Sequence, residues 1–223
     1  GSLTPMASPD GSLYQFLDWL DGSEQSLHIH VYELMHNDIV AKLVSLSQAD
    51  VEVTVILEED PLEDGADLVK IRGMAYELYA AGVDVYWMGN PRGDNAPPAP
   101  YQYIHSKVGV RDGESVWIGS GNLKESTFPA GDASSNRDWG LIIDSVDVAQ
   151  LVLTRMLWDE NASHPHLNGY SVMDPSTGRP SGWTGAGPSE VAAEPPSESI
   201  PTISGELTGQ VLTCPDDCVS GMV

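Results

Sequence analysis

The sequence is poor in basic residues, in cysteine and in long apolar runs. Its 223 residues contain 10 Lys and Arg against 33 Asp and Glu, which gives a net charge of −23. A protein this acidic repels nucleic acid and anionic lipid over most of its surface. No apolar run reaches the roughly 18 residues of a membrane-spanning helix, so none is predicted. The 2 cysteines, Cys214 and Cys218, either form a bridge or stay free, and they do not define a compartment.

The acidic charge has two interpretations. It is spread along the chain, and Lys occurs only at positions 42, 70, 107 and 124, which favours adaptation of the surface to high salt. An ordinary acidic, solvated surface is equally compatible with the composition. The first residues show no basic stretch followed by an apolar one, so no signal peptide is predicted. We expect a soluble domain. The sequence does not define its compartment, which is extracytoplasmic if a leader has been removed.

Helical and strand patterns alternate along the chain. Apolar residues at helical spacing predict helices over 12–20, 37–48 (with Asn37 as its N-cap), 67–82 and 146–161. Alternating and β-branched runs predict strands over 26–32, 51–57, 83–88, 103–112, 114–120 and 139–144. This order predicts an α/β fold, with a mixed β-sheet flanked by helices on both faces.

The composition also predicts how the chain is divided. Residues 7–161 form one predicted domain, in which 89–100 are a loop rich in Pro and Gly. Residues 162–206 are rich in Pro, Ser and Gly without apolar periodicity, so they are predicted to be a linker or surface segment. A short similarity between ASPDGS at 7–12 and TCPDDC in the last stretch suggests that 207–223 begin a second, truncated repeat.

One segment carries the residue types that phosphodiester chemistry needs. His105, Lys107 and Asp112 are followed by Gly119-Ser120 and Asn122, in the spacing H-x-K-x4-D-x6-G-S-x-N. His105 and Lys107, two apart on a predicted strand, would share one face, and the hairpin would return Asn122 beside them. A neutral imidazole can attack phosphorus, while the ammonium and the amide donate to the non-bridging oxygens. The positive charge of lysine replaces a metal ion.

This pattern resembles the HKD motif of the phospholipase D superfamily. The resemblance implies a phospholipase D-like fold in which two motifs meet across a twofold axis. One histidine forms a covalent phosphohistidine, and the other protonates the leaving group. Because this chain has one motif, the resemblance implies a homodimer or a missing second HKD half. It further implies a carboxylate before the next strand that hydrogen-bonds the nucleophilic His105; here that residue is Asp138. Asp112, at the hairpin turn, is interpreted as structural.

Other residues near the motif are candidates for substrate contact. Gly119 lets the backbone approach the substrate, and Ser120 adds a hydroxyl. Tyr103 lies in an aromatic stretch before the motif, where it stacks on the substrate or packs in the core. His28 and His30 share one strand face, where they line the site, hold a metal or serve the structure. Because a same-face pair is weak evidence for a metal, we predict no metal ligand and no cofactor.

The sequence therefore predicts a phosphodiesterase that cleaves a phospholipid or a similar diester without metal. The first alternative is a metal-independent nuclease acting as a homodimer. The charge of −23 counts against it, although Arg92, Lys107, Arg111, Lys124 and Arg137 form a local basic stretch. The second alternative is an inactive half-domain that serves as a scaffold.

Removal of metal ions tests the metal-free chemistry. The motif offers Lys107 and Asn122 as phosphate ligands and no carboxylate cluster for Mg²⁺. We expect the cleavage of a chromogenic phosphodiester to continue at an unchanged rate in EDTA. A rate that is lost in EDTA and restored by Mg²⁺ or Zn²⁺ would contradict this prediction.

Overall fold

The computed structural model describes residues 1–89, 103–130, 135–161, 167–169, 179–187 and 202–206. Within them lies one mixed sheet with helices on both faces, as the alternating patterns predict. The strands are β1 (Ser2–Ala7), β2 (Ser26–Val31), β3 (Glu52–Glu58), β4 (Asp84–Met88), β5 (Lys107–Arg111), β6 (Ser115–Gly119), β7 (Trp139–Asp144), β8 (Leu167–Gly169) and β9 (Ile203–Ser204). The helices are α1 (Ser12–Asp21), α2 (Asn37–Gln48), α3 (Gly65–Ala80) and α4 (Val146–Asp159).

The sheet has the strand order β8-β4-β3-β2-β5-β6-β7-β1-β9. Strands β2, β3 and β4 are parallel, and the remaining neighbours pair antiparallel. The antiparallel pairing of β2 with β5 sets Val31 opposite Lys107, and that of β6 with β7 sets Gly119 opposite Gly140. One edge of the sheet therefore collects the ends of β2 and β6 and the starts of β5 and β7.

The alternation along β2 separates the two faces of the sheet. Leu27, Ile29 and Val31 are fully buried in the larger apolar core, which also contains residues of α1, α2 and α3. Burial of each such side chain contributes about 1.5–3 kcal/mol. The smaller core on the other face packs α4 against β5 and β6. The helices thus hold the central strands in place from both sides.

The second face of β2 carries the two histidines. The Nδ1 atom of His28 lies 2.8 Å and the Nε2 atom of His30 2.9 Å from the two carboxylate oxygens of Glu160, directly after α4. Both rings thus anchor the end of that helix to the sheet. Among the residues that the structure describes, no group of three or more His, Cys, Asp or Glu side chains is arranged to hold a metal ion.

Two local predictions are wrong. The N-cap of α2 is His36, not Asn37, because the His36 Nδ1 accepts the backbone N–H of Asp38 at 3.2 Å. The His36 Nε2–H then donates to the carbonyl of Phe128 at 2.7 Å. The strand predicted from residue 103 begins at Lys107, so His105 lies in the irregular segment before β5.

The structure adds strands that the sequence patterns do not predict. Strand β1 pairs antiparallel with β7, although its Pro5 lacks the N–H of a regular ladder partner. Within 162–206, β8 pairs with β4 and β9 pairs with β1. The indole of Trp183 packs closely over Gly73 of α3, and its Nε1–H donates to Glu77 at 2.9 Å. The described parts of this segment therefore contact the domain.

Some sequence expectations lie outside the described residues. These are the loop from 90 to 100, the two cysteines and the suggested second repeat over 207–223. Within the described part of the chain, no helix has the length and apolar character needed to cross a membrane.

The contact of α4 with the histidines predicts a pH-dependent stability. Burial of Glu160 raises its pKa, but the hydrogen bonds from His28 and His30 outweigh this effect and lower the pKa to about 2. A carboxyl with a lowered pKa stabilises the fold above its unfolded value of roughly 4.3, and this contribution is lost as the pH falls. We expect Glu160→Gln to reduce the free energy of unfolding by roughly 1–3 kcal/mol at neutral pH.

Urea unfolding across a pH series measures this effect. The difference between wild type and Glu160→Gln should shrink as the pH falls from about 5 toward 2. The same substitution at the exposed Glu52 on β3 is the control and should leave the pH dependence unchanged. A difference that stays constant with pH would contradict the proposed anchoring.

Candidate active site

The candidate site lies at the sheet edge where β2 and β6 end and β5 begins. His105 is exposed and its ring lies 5.3 Å from the ring of Tyr32, which directly follows β2. The backbone before His105 is held in place, because the N–H of Ile104 donates to the carboxylate of Glu58 at 2.8 Å. The imidazole therefore faces solvent from a fixed segment of backbone.

Lys107 is buried, whereas His105 is exposed. It is only 6% exposed, and its Nζ atom donates to the carbonyl of His105 at 2.8 Å. Nζ also lies 5.8 Å from the centre of the Tyr32 ring. Burial lowers the pKa of Lys107, while the carboxylates of Glu33 and Asp138 oppose that shift. The ammonium is thus a desolvated positive charge directly beside the histidine.

Asn122 reaches the same edge from the loop after β6. Its Nδ2 donates to the carboxylate of Glu33 at 3.0 Å, and Lys124 Nζ donates to the same oxygen at 2.9 Å. Glu33 is 2% exposed and follows β2 by two residues. The sequence does not predict the role of this carboxylate, because its partners lie about ninety residues away along the chain. The only local signal is an acidic residue two positions after a buried strand.

Asp138 and Ser120 are paired with each other. The Ser120 hydroxyl donates to Asp138 at 2.8 Å and accepts the backbone N–H of Trp139 at 3.0 Å. The Thr127 hydroxyl donates to the second oxygen of Asp138 at 3.2 Å. In this chain the carboxylate therefore fixes the turn between β6 and β7. Its predicted hydrogen bond to His105 stays a prediction.

Asp112 lies at the far end of the hairpin from His105. Its carboxylate accepts backbone N–H groups of Glu24, Gln25 and Ser26 at 2.7–3.0 Å. Burial raises its pKa, but these hydrogen bonds outweigh burial and lower it overall. Asp112 thus ties the β5–β6 turn, where its own φ is 53°, to the start of β2.

The remaining predicted residues lie around the histidine. The half-buried Tyr103 meets Tyr32 edge to face with ring centres 6.2 Å apart. Gly119 lies against Trp117, where a Cβ atom would come within 2.6 Å of the indole. The glycine is therefore required for packing of this strand end, in addition to any approach of substrate.

An imidazole, an ammonium and an amide at one sheet edge are what an α/β domain needs for phosphoryl chemistry. The family model "Cardiolipin synthase, PLD-like domain" matches residues 16–159. The chain therefore belongs to the phospholipase D superfamily. Membership of that superfamily supports a phosphodiesterase in the general sense.

Solved structures support the same fold. Nuc, a phospholipase D family member from Salmonella typhimurium, is 18% identical to this chain, with a TM-score of 0.61. The alignment covers 76% of this chain and 99% of the Nuc chain. NucT from Helicobacter pylori is 16% identical with a TM-score of 0.57 and covers 76% and 99%. Phosphatidylserine synthase from Haemophilus influenzae is 14% identical with a TM-score of 0.53 and covers 78% and 41%. No curated protein matches the chain by sequence.

The environment of His105 predicts its titration. Burial lowers the pKa of His105, the charge of Lys107 lowers it further, and Glu33 opposes both. We expect its imidazole resonances to titrate below the ordinary value of about 6.5 in a nuclear magnetic resonance experiment. Lys107→Met should move that midpoint upward. Lys42→Met, which removes a cation paired with Asp21 on the surface, should not move it.

An unchanged midpoint in Lys107→Met would contradict the electrostatic contact between the two residues. Assignment is direct, because the resonance of interest disappears in a His105→Ala variant.

Proposed function

We propose that this protein is a phospholipase D-type phosphodiesterase that cleaves its substrate through a covalent phosphohistidine at His105. The observation that carries the proposal is the exposed His105 imidazole beside the buried Lys107 ammonium, whose Nζ donates to the histidine's own carbonyl. This bond ties the ammonium to the backbone of the residue that carries the nucleophile. The lowered pKa of His105 keeps the imidazole neutral at neutral pH, as attack on phosphorus requires.

The reaction follows in two displacements. The neutral imidazole nitrogen attacks phosphorus, a P–N bond forms, and the P–O bond to the leaving group breaks as that oxygen takes a proton. Lys107 and Asn122 donate to the non-bridging oxygens, which carry the growing charge. Water, or an alcohol, then attacks phosphorus and gives its proton to the group that protonated the leaving oxygen, the P–N bond breaks, and His105 is regenerated.

The leaving oxygen needs an acid, which supports a homodimer. We propose that the His105 of a second copy protonates it across a twofold axis. Two large apolar side chains beside the motif are exposed, Ile118 on β6 at 42% and Trp139 on β7 at 63%. Exposed apolar groups of this size next to a site are typical of a surface that another protein covers.

The charges around the site bear on the substrate. Glu33, Glu58 and Asp138 lie near His105 and Lys107, within a chain whose net charge is −23. A polyanion meets repulsion along its whole length there, whereas a single diester places one charge on the lysine. We therefore propose a phospholipid or a similar small diester as substrate. Cleavage of single-stranded DNA at a higher rate than phospholipid would assign the nuclease function instead.

Replacement of His105 tests the nucleophile. The side chain is exposed, so we expect His105→Ala to fold with nearly unchanged stability. Its activity on a chromogenic phosphodiester should fall by more than about a hundredfold, because the covalent route is lost. A variant that retains a tenth of the wild-type rate would refute the assignment. Glu52→Gln on the exposed surface of β3 is the control and should keep the wild-type rate.

The same variant tests assembly. If each site needs two copies of His105, a dimer of one wild-type and one variant chain is inactive. An equal mixture, after exchange of subunits, should then retain about a quarter of the wild-type activity instead of about a half. Sedimentation at the assay concentration should show a dimer, and Trp139→Glu should weaken it.

A further inference from the structure

Glu33 is held rigidly against the loop that carries Asn122. Its backbone carbonyl accepts the N–H of Leu123 at 3.1 Å, and the N–H of Met35 donates to the carbonyl of Leu123 at 2.8 Å. Leu34 and Leu123, both fully buried, form an isolated parallel bridge between these two hydrogen bonds. The segment after β2 and the loop after β6 are therefore one unit, and the position of the Glu33 carboxylate is fixed.

The carboxylate determines how the Asn122 amide is turned. A carboxylate only accepts hydrogen bonds, so it selects the Nδ2 side of the amide, at 3.0 Å. The Oδ1 atom of Asn122 is buried and has no hydrogen-bond partner within the part of the chain that the structure describes. Without Glu33, nothing in these contacts would distinguish the two orientations of the amide.

The Glu33 oxygen that accepts from Asn122 also accepts a hydrogen bond from the ammonium of Lys124. Lys124 Nζ lies 2.9 Å from Glu33 and 3.9 Å from Glu63, and its side chain is 28% exposed. An ammonium has three protons, so it retains donors after its contact with Glu33. Because one oxygen of a buried carboxylate receives both donors, the amide and the ammonium are held in one geometry at the edge of the site.

We propose that Glu33 is a positioning residue: its carboxylate orients the Asn122 amide and holds the Lys124 ammonium, so that both donate to the phosphoryl oxygens. Lys124 is then a second phosphate-binding cation beside Lys107. This inference rests on the proposed function, since it concerns the same phosphate site. Glu33 acts through its two partners and takes no part in bond formation.

Because Glu33 is negatively charged, a positioning role and a purely electrostatic role predict opposite changes in phosphate binding. Removal of a negative charge beside an anion site should, by Coulomb's law alone, tighten the binding of phosphate. Loss of positioning should weaken it. We expect Glu33→Gln to bind inorganic phosphate about tenfold more weakly than wild type, measured by calorimetry. Phosphate binding that is equal or tighter in Glu33→Gln would overturn the proposal.

A double-mutant cycle tests whether Glu33 acts through its partners. In a background that carries Asn122→Ala and Lys124→Met, Glu33→Gln should cause no further loss of phosphate affinity. An equal additional loss in that background would overturn the proposal. Lys124→Met alone, which keeps the carboxylate, should also weaken phosphate binding. It keeps the test decisive if Glu33→Gln does not fold.

Glu77 provides the matched control. It lies on α3, is half-buried, and accepts the indole N–H of Trp183 at 2.9 Å and the backbone N–H of Ala186 at 2.8 Å, so it also receives two donors but outside the site. Glu77→Gln should bind phosphate within about twofold of wild type. A loss equal to that of Glu33→Gln would show that any carboxylate with two donors has the same effect, and would overturn the proposal.

The pH profile gives a readout that a purely structural role would not move. Glu33 raises the pKa of both His105 and Lys107, and Lys124 lowers that of Lys107. In the described part of the chain, Asp138, Glu58 and Glu63 also face this cluster. The acid limb of kcat/KM should therefore move to lower pH in Glu33→Gln, while its base limb should move to higher pH in Lys124→Met.

The two proposals fail in different ways. Wild-type protein that binds phosphate through Glu33-dependent contacts but cleaves no diester would refute the proposed function alone. Full diester cleavage with unchanged phosphate binding in Glu33→Gln would refute the positioning role alone. Absence of phosphate binding in wild type would refute both.

Discussion

The antiparallel register of β2 and β5 is the constraint on which the site depends. It sets Val31 opposite Lys107, so the residues after β2 meet the residues before β5 at one edge. A slip of one residue would turn Leu27, Ile29 and Val31 from the apolar core toward α4. The fully buried apolar side chains of β2 therefore fix the register. With this register the imidazole of His105 is exposed to solvent and the ammonium of Lys107 is buried.

Buried charge is the second constraint. Lys107 is almost completely removed from water, and its direct hydrogen-bond partner is a neutral carbonyl, so its charge depends on more distant carboxylates. Glu33 is the largest of these contributions, and it is itself neutralised by Lys124. The site thus contains a chain of alternating charges across the ends of β2, β5 and β6. Loss of any one member leaves another unpaired.

The sequence predicts the parts of this arrangement that depend on local order. Helical spacing and strand alternation identify α1 to α4 and β2 to β7, because apolar periodicity follows from burial of one face. Strand β1 is missed because Pro5 interrupts its pattern, and its pairing is decided by distant β7. The His36 cap is missed because its ring is selected by Phe128, far along the chain. The Glu33 contacts are missed for the same reason.

The contacts of Asp138 bear on which group serves as the acid in the proposed reaction. Its two oxygens are held by the hydroxyls of Ser120 and Thr127, so it is fixed at the turn before β7 as an acceptor. Both oxygens of this carboxylate are therefore engaged by hydroxyl groups of its own turn. The carboxylate of Glu33 is likewise engaged, because Asn122 and Lys124 both donate to one of its oxygens. The proposed homodimer would add an imidazole as the acid for the leaving oxygen without breaking any of these contacts, next to the exposed Trp139.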